Sequence, residues 1–324
     1  MLLSGVRNVA KGTRLFYTSD IHGSERCFLK FLNTAKFYQA NVLVLGGDIT
    51  GKVVVPLISR GNAYEARFLG QTHEAHTNEE LMALEKAIRF NGFYPLRVTQ
   101  EEYDDLTADA KKQETLFNRL VAESLERWMD MAEERLKGLG VRCFINPGND
   151  DEWIVDEILA KSNFVENHDG GVVQIDDDHE MLVVGHSNTT PFNSPREMSE
   201  EDLSHYMSEV SRKLKFPQRA IFTLHVPPYG SGLDNAPLLR EHEVVTRGGH
   251  TVMTPVGSTA VRATIEQFQP QLGLHGHVHE SRGVKKIGRT LCLNPGSEYS
   301  EGILHGALVS LTRDKVVGYQ LVTA

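Results

Sequence analysis

Five short polar motifs, each following an apolar run, constrain the fold of this 324-residue chain more than any other feature. The runs before the first two motifs, 14–19 and 42–45, are continuous and apolar, as is typical of strands buried on both faces of a sheet. Because open α/β sheets present their ligand crevice at the carboxyl ends of their strands, we expect the motifs to meet at one rim. They are Tyr17-Thr18-Ser19-Asp20-Ile21-His22, Gly46-Gly47-Asp48, Pro147-Gly148-Asn149-Asp150, Leu224-His225-Val226-Pro227-Pro228 and Gly276-His277-Val278-His279.

The motifs contain candidate metal ligands of three chemical kinds. Carboxylates, imidazoles and an amide oxygen suit manganese, iron or zinc, and the motifs contain no thiolate. The candidate ligands are Asp20, His22, Asp48, Asn149, His225, His277 and His279. This mixture predicts a site for two divalent metal ions.

Alternating strands and helices indicate an α/β fold. A helix is predicted over 24–39, between the first two strands, and the same unit recurs as a strand over 141–145 followed by a helix over 151–160. A further buried strand is predicted over 220–224. The remaining predicted strands are joined by short turns and indicate a mixed or antiparallel second sheet. They cover 171–175, 181–184, 283–287, 290–293, 307–311 and 316–321. We expect a single domain over 1–324.

The stretch 52–140 interrupts this alternation. It is mostly charged, has helical patterning and contains none of the motifs, so we predict a helical insertion within the domain. An amphipathic helix over 107–137 is indicated by apolar residues that recur every three or four positions. They are Phe117, Val121, Leu125, Trp128, Ala132 and Leu136. Packing of this stripe on the body of the protein is the first interpretation; a contact between two copies in a homo-oligomer, or a lid over the site, are the alternatives.

Composition and charge narrow the partners and the compartment. A net charge of −9 disfavours long nucleic acid as a partner, because phosphate backbones require clustered Lys and Arg. Three cysteines lie far apart without paired spacing, which indicates a reducing compartment, with the cytoplasm as the default. No stretch reaches the roughly 18 apolar residues of a membrane span, so no membrane association is expected.

A second region of interest is the Gly- and Pro-rich stretch 227–258, which we interpret as a long loop. It carries Arg240, Arg247 and His250. Long irregular loops in compact domains are commonly binding elements, so Arg247 and His250 are candidate substrate-binding residues. Solvated surface charge is the alternative for each of them.

The motifs, in this order, resemble the signature of the calcineurin-like metallophosphoesterases, which is Asp-x-His, Gly-Asp, Gly-Asn-His-Asp or Glu, His, then Gly-His-x-His. The segment Asn294-Pro295-Gly296-Ser297 also looks like a turn found in many bacterial and archaeal members. The resemblance covers about 14–321, apart from the insertion. It implies an α/β fold that is a four-layer α/β/β/α sandwich of two mixed sheets, with a dinuclear metal centre at its rim.

The resemblance also implies how the ligands divide between two ions. Asp20, His22 and His279 would hold one metal, and Asn149, His225 and His277 the other. Asp48 would bridge them, which agrees with the need of two cations about 3.5–4 Å apart for a shared anionic ligand. The ions would be manganese, iron, zinc or nickel. His275 lies outside this pattern and is expected to be structural.

One departure from the family pattern concerns the catalytic acid. Where the family has His after Gly-Asn, this chain has Asp150, followed by Asp151. In the family that His contacts the phosphate and is thought to protonate the leaving oxygen. Two nearby dications favour the anionic form of Asp150, so we expect it to act as an acceptor for neighbouring groups or for a metal-bound water. The proton would then come from water, His186 or His250, and esters with acidic leaving groups, such as aryl or nucleotide esters, would react best.

The resemblance implies a metal-dependent phosphoester hydrolase, in which hydroxide generated between the metals attacks a phosphomonoester or phosphodiester. Its expected partner is a small phosphoester substrate. Asn149 would ligate a metal and offer its amide hydrogen to the phosphate. Two alternatives remain open, a non-catalytic protein-binding scaffold on the same fold and a nuclease of the same superfamily. The acidic charge and the absence of a basic, aromatic-interleaved stripe disfavour the nuclease.

Overall fold

A computed structural model describes residues 12–241 and 243–324, so the first eleven residues of the predicted domain lie outside the described chain. The strands are, in chain order, β1 (Thr13–Thr18), β2 (Val42–Leu45), β3 (Val54–Arg60), β4 (Ala63–Phe68), β5 (Gln71–Ala75), β6 (Tyr94–Val98), β7 (Arg142–Ile145), β8 (Val165–Glu166), β9 (Gly171–Gln174), β10 (Glu180–Val184), β11 (Ser187–Asn188), β12 (Glu197–Met198), β13 (Ile221–Leu224), β14 (Asn235–Pro237), β15 (Leu239–Arg240), β16 (Glu243–Val244), β17 (Thr246–Arg247), β18 (His250–Thr251), β19 (Met253–Pro255), β20 (Leu272–Leu274), β21 (Gly283–Ile287), β22 (Thr290–Asn294), β23 (His305–Thr312) and β24 (Lys315–Thr323). The α-helices are α1 (Glu25–Phe37), α2 (Asn78–Phe90), α3 (Gln100–Thr107), α4 (Ala110–Leu136), α5 (Ile154–Leu159), α6 (Glu200–Ser211) and α7 (Thr259–Phe268).

The first sheet has six strands in the order β24-β23-β1-β2-β7-β8. Strands β1, β2, β7 and β8 are parallel, whereas β23 and β24 continue the sheet antiparallel on the other side of β1. Thr18 pairs with Leu45, and Leu45 pairs with Ile145, so the three central strands end at the same height. The first three motifs therefore leave the sheet side by side.

The second sheet also has six strands, in the order β21-β22-β20-β13-β10-β9. Its four central strands are parallel, and β9 and β21 are antiparallel edges. The fourth and fifth motifs follow β13 and β20, which are neighbours. The mixed second sheet predicted from the sequence is confirmed.

Alternating side chains of the strands divide the interior into layers. In β1, Leu15 and Tyr17 pack between the two sheets, together with Ile221 and Leu272 of the second sheet. Phe16 points the other way, into a core shared with α1, α4 and α5. The outer face of the second sheet packs on α6 and α7. This arrangement confirms the four-layer α/β/β/α sandwich.

Helix α4 forms part of the outer layer on the first sheet. Five of the six residues in the predicted stripe are buried, and Phe117 is half-buried against the same core. The Trp128 ring stacks on Phe28 of α1, with 4.2 Å between ring centroids. The helix begins at Ala110 and ends at Leu136, close to the predicted 107–137. The first interpretation, packing of the stripe on the body of the protein, is confirmed, and a homo-oligomer formed through the insertion stays a prediction.

The prediction of a helical insertion missed a sheet within 52–140. Strands β3 to β6 form a four-stranded sheet in the order β5-β4-β3-β6, which packs on α2. Its small core is built from Val55, Leu57, Phe68, Leu81 and Ile88, among others. These strands are short and only partly buried, and the longer, charged helices α2 to α4 dominate the composition of the stretch.

The predicted loop 227–258 is also more regular than expected. Short antiparallel pairs, β14 with β19, β15 with β16 and β17 with β18, form a ribbon that projects from the body. Its described backbone is linked by hydrogen bonds such as that from the Leu238 N–H to the Val252 carbonyl, at 2.7 Å. The Gly and Pro content of 227–258 suggested an irregular loop, but the described backbone forms short paired strands instead.

Two expectations from composition can be compared with the structure. Cys27, Cys143 and Cys292 are all buried and none forms a disulfide. Among the described residues, we find no helix with the length and apolar character that spanning a bilayer would need.

Candidate metal centre

The candidate ligands lie on unusual backbone turns at the strand ends. Asp20, His22, Asp48 and His277 all have positive φ angles, of 57°, 40°, 50° and 64°. Residues other than glycine rarely adopt this left-handed conformation, and its cost of about 1–3 kcal/mol each is tolerated mainly at functional sites. Backbone hydrogen bonds between the first two turns hold this conformation: the Asp20 N–H donates to the Gly47 carbonyl at 2.9 Å, and the His22 N–H to the Asp48 carbonyl at 3.0 Å.

Two motif glycines are required by the close approach of the ligands. A Cβ atom on Gly148 would collide with the Asp48 carboxylate and backbone, and a Cβ on Gly276 would collide with Ser19 and the Asp20 carboxylate. Any larger residue would therefore push an aspartate out of the cluster. The spacing of these motifs thus reflects the packing of the site as well as its ligands.

The ligand atoms form two groups that share one rim. In the first group, His22 Nε2 lies 3.2 Å from His279 Nε2, which lies 3.4 Å from Asp20 Oδ1. In the second group, His225 Nε2 lies 3.3 Å from Asp48 Oδ1. Within the group Asp20, His22 and His279, and within the group Asp48, His225 and His277, all potential ligand atoms lie within 4.8 Å of one another.

Asn149 joins the second group through its amide oxygen. Asn149 Oδ1 lies 2.7 Å from His277 Nδ1. The two groups are connected through Asp48, because its Oδ1 faces His225 and its Oδ2 lies 3.8 Å from His22 Nε2. The structure thus brings together all seven predicted ligands, with the carboxylate of Asp48 between the two groups.

The orientation of His225 fits a metal ligand. Its Nδ1 lies 3.2 Å from the carbonyl of Gly46, so an Nδ1–H can donate there and leave the Nε2 lone pair directed into the cluster. His225 Nε2 is buried and makes no hydrogen bond of good geometry within the described chain. Buried polar atoms without partners are rare, and here the nitrogen faces two carboxylates. Together with the carboxylate, imidazole and amide donors around it, this nitrogen shows that the residues fit divalent cations.

The electrostatics of the cluster are dominated by Asp48 and His225. Burial opposes ionisation of Asp48, but the neighbouring imidazoles outweigh burial and hold the pKa of this carboxyl well below its usual range. Burial likewise disfavours a charged His225, but Asp48 outweighs burial and raises the pKa of His225 to about 10. Without a metal, the two carboxylates thus favour the charged form of His225. Burial and the charge of His225 lower the pKa of His277 to about 4, so His277 stays neutral and available as a ligand.

Asp150 lies beside the cluster and acts as an acceptor. Its carboxylate accepts hydrogen bonds from the Lys52 ammonium and from the Ser194 hydroxyl. Its backbone N–H donates to Asp48 Oδ1 at 3.0 Å, and one of its carboxylate oxygens lies within 4.8 Å of ligand atoms of His22 and Asp48. Burial would lower the pKa of Lys52, but Asp150 outweighs burial and raises it, so the ammonium stays charged.

Asp151 holds the loop that carries Asp48. Its carboxylate is fully buried and accepts hydrogen bonds from the backbone N–H groups of Ile49, Thr50 and Gly148 at 2.7–3.1 Å. It also accepts one from the Thr50 hydroxyl at 2.6 Å. These bonds link the second motif to the third. This role was not predicted, and the only signal for it in the sequence is the position of Asp151 directly after Asp150.

Lys52, Ser194 and Tyr299 were not predicted as site residues. Lys52 was assigned to the start of the insertion, although it follows Asp48 by only four positions. The Tyr299 ring packs on His22, with 4.7 Å between centroids. Ser194 lies 44 positions from Asp150, so no local pattern indicated their contact.

The other predicted site residues are not joined to the ligand cluster by contacts of the described chain. The ring of His186 packs against Tyr206 and Trp153, and burial with the nearby Arg196 lowers its pKa to about 4. A ring that is neutral near pH 7 is poorly suited to donate a proton. Arg247 and His250 are exposed, and they lie opposite each other in the register of β17 and β18 of the ribbon.

His275 agrees with the structural role expected for it. It is fully buried, and its Nδ1 lies 2.9 Å from the Leu224 carbonyl, between two strands of the second sheet.

Comparison with known proteins supports the fold. No family model matches the chain. It is 33% identical over 152 residues to an uncharacterised protein of Methanocaldococcus jannaschii, and the aligned part makes up 46% of this chain and 61% of the relative. The chain therefore matches about three fifths of that relative's length.

Two crystal structures align along nearly the whole chain. One covers 96% of this chain and 99% of its own, with a TM-score of 0.55 and 17% identity. The other, TT1561 of Thermus thermophilus, covers 97% and 98%, with a TM-score of 0.53 and 13% identity. Likeness at these identities concerns the fold alone. It agrees with the four-layer sandwich described above.

Proposed function

We propose that this protein is a metal-dependent phosphoester hydrolase. The observation that supports this most strongly is the position of Asp48, whose two carboxylate oxygens face two separate groups of ligand atoms. Asp20, His22 and His279 would hold one divalent ion, and Asn149, His225 and His277 the other. When bound, two such ions lower the pKa of a coordinated water and neutralise the phosphoryl oxygens.

The residues of the chain then position the ligands and the substrate. The backbone N–H of His277 donates to both Asp20 oxygens at 3.0 and 3.1 Å, which holds this carboxylate toward the cluster. Ser297 donates to the Asp20 carbonyl at 2.6 Å and ties the final turn to the first motif. Asn149 presents its oxygen toward His277 and its NH₂ toward Asp150, so the NH₂ is available to a phosphoryl oxygen.

The substrate is proposed as a small phosphomonoester or phosphodiester rather than a long nucleic acid. A net charge of −9 gives little attraction for a phosphate backbone. In the absence of a histidine at position 150, esters with acidic leaving groups should react best, because they need less proton assistance.

A substrate panel with metal analysis tests the proposal. Protein stripped of metal and reloaded with manganese, nickel, zinc or iron would be assayed on aryl phosphates, bis-aryl phosphodiesters and cyclic nucleotides, with bound metal measured by elemental analysis. We expect about two metals per chain and turnover that disappears with chelation and returns with metal. Metal binding without turnover on any ester, or no metal binding at all, would favour the protein-binding scaffold instead.

A further inference from the structure

We propose that Lys52 supplies the positive charge that stabilises the leaving oxygen of the phosphoester, in place of the histidine that the resembled family has where this chain has Asp150. This inference rests on the proposed function and deepens it. It assigns a catalytic role to a residue that belongs to none of the five motifs.

Lys52 is connected to the ligand cluster through the carboxylate of Asp150. Its ammonium donates to Asp150 Oδ2, and Asp150 in turn has an oxygen within 4.8 Å of ligand atoms of His22 and Asp48. The neighbouring residue, Asn149, is itself a proposed ligand. A phosphate bound at the cluster would therefore lie beside the Lys52 ammonium.

Asp150 can release Lys52 without becoming unpaired. The Ser194 hydroxyl donates to the other oxygen, Asp150 Oδ1, and the Asn149 NH₂ lies 3.5 Å from the same atom. Loss of the only partner of a partly buried carboxylate would be costly, whereas the exchange of one of several partners costs little. Asp150 thus holds the lysine near the cluster until an ester oxygen replaces the carboxylate as its acceptor.

The backbone around Lys52 is fixed, while its side chain is not. Asp151 accepts hydrogen bonds from the N–H groups of Ile49 and Thr50, three and two positions before Lys52. The Gly51 N–H donates to the hydroxyl of Tyr94 at 2.9 Å. Tyr94 belongs to β6 of the insertion sheet, so the insertion helps to place Lys52. Its side chain is 55% exposed and can turn between Asp150 and a substrate.

The step balances without proton release from Lys52. A water molecule gives one proton to solvent, and its oxygen forms the new bond to phosphorus. The bond between phosphorus and the ester oxygen breaks, and its electron pair remains on the leaving oxygen. Lys52 donates a hydrogen bond to this developing anion, and a proton from solvent then neutralises it. A charged donor aimed at such an oxygen is worth more as the leaving group becomes more basic.

The test compares leaving groups in matched variants. Lys52→Met removes the charge and keeps the length, Lys52→Arg restores a cation, and Lys36→Met changes an exposed lysine at the end of α1 as a control. The substrates are p-nitrophenyl phosphate and phenyl phosphate, which differ mainly in leaving-group basicity. Bound metal is measured in each variant.

We expect Lys52→Met to lower kcat/KM for phenyl phosphate by roughly 100-fold, the typical effect of removing one aimed donor, and for p-nitrophenyl phosphate by less than about tenfold. Lys52→Arg should recover much of the loss, and bound metal should stay at the wild-type level in all variants. The inference would be overturned by equal losses of kcat/KM on both substrates, by no loss on either, or by loss of metal from Lys52→Met. The proposed function would still stand in each case, provided that the wild-type protein shows metal-dependent turnover. Absence of metal-dependent turnover in the wild-type protein on these monoesters and on every ester of the substrate panel would overturn the proposed function itself.

Discussion

The two opposite rims of the sandwich both carry clustered aspartates and histidines, but the surroundings of these side chains differ. At the rim where the parallel strands end, aspartates and histidines crowd together with buried nitrogens that make no hydrogen bond in the described chain, including His225 Nε2 and His22 Nδ1. At the rim where β1 and β10 begin, Asp176 and His179 satisfy one another. His179 Nδ1 lies 2.9 and 2.7 Å from the two Asp176 oxygens, and its Nε2 lies 3.1 Å from the Thr312 carbonyl.

This second set connects the two sheets. Thr13 of β1 donates its hydroxyl to Asp176, which lies in the turn between β9 and β10, while Thr312 is the last residue of β23. Every polar atom of the His179 ring has a partner within the protein, so nothing is left to bind a ligand. Residue type alone therefore does not distinguish a metal site from a structural pair. Between these two sets, the difference is that both His179 nitrogens have partners within the protein, whereas His225 Nε2 and His22 Nδ1 have none in the described chain.

The largest expected effect comes from Asp48→Asn, which keeps the size of the side chain and removes its charge. Both ligand groups lose their shared anion, so we expect bound metal to fall and kcat/KM to drop by more than about 100-fold, since changes one step further from a metal already cost 10–100-fold. Elemental analysis and a phosphatase assay measure the two effects. Asp176→Asn, the matched change at the opposite rim, should leave bound metal unchanged. Full activity with two metals in Asp48→Asn would contradict the bridge.

Thermal unfolding with and without metal separates the rims further. At a metal concentration a hundred times Kd, the free energy of unfolding of the wild-type protein should rise by about 2.7 kcal/mol. His179→Ala should unfold more easily in the absence of metal, by about 1–3 kcal/mol because Asp176 loses its buried partner, yet it should gain as much from metal as the wild type. Asp48→Asn should gain much less. If His179→Ala also lost the metal-dependent gain, the two rims would not be independent.

The pH dependence of stability should reveal the structural pair. Burial opposes ionisation of Asp176, but hydrogen bonds from His179 and Thr13 outweigh it and lower the pKa of Asp176 to about 2. Burial would lower the pKa of His179, but Asp176 outweighs it and raises that pKa. The stability that Asp176 adds is thus present above about pH 4 and is lost as pH falls toward 2. The stability that His179 adds is full below about pH 6.5 and is lost as pH rises through its raised pKa.

Urea unfolding of wild type and Asp176→Asn across pH, with chelator present, measures this difference. The difference in the free energy of unfolding between the two proteins should be largest from about pH 4 to 6.5 and should decrease at lower and at higher pH. A gap that does not change with pH would show that the pair is held by packing rather than by charge.

The smallest effect is expected on the projecting ribbon. Arg247 and His250 remain candidates for substrate binding, but both side chains are exposed. Exposed charges contribute about 0.2–1 kcal/mol, so Arg247→Ala and His250→Ala should each raise KM by no more than about fivefold and leave kcat unchanged. Steady-state kinetics on one ester with a charged leaving group and one with a neutral leaving group would measure KM and kcat for each variant. A large fall in kcat would instead bring the ribbon into the catalytic machinery.

The ligands and the layers could be predicted because both leave local patterns. Apolar runs buried on both faces indicated the central strands, the three- and four-residue spacing indicated α4, and the motifs that follow the strand ends indicated the ligands. The insertion sheet was not predicted because its strands are short and half-exposed, and the charged helices α2 to α4 dominate the pattern of 52–140. The ribbon was taken for a loop because Gly and Pro are typical of both.

The sequence alone determined which side chains are candidate ligands and at which strand ends they stand, since polar residues after buried runs are a property of neighbouring positions. Only the tertiary structure decided that Asp48 faces both ligand groups, that His225 keeps a free nitrogen while His179 does not, and that Lys52 and Ser194 meet at Asp150. The contacts of Asp150 with Lys52 and Ser194, and of Asp48 with His225, join positions from 44 to 177 residues apart along the chain. Their geometry depends on strand register and sheet packing, which leave no trace in the spacing of residues along the sequence.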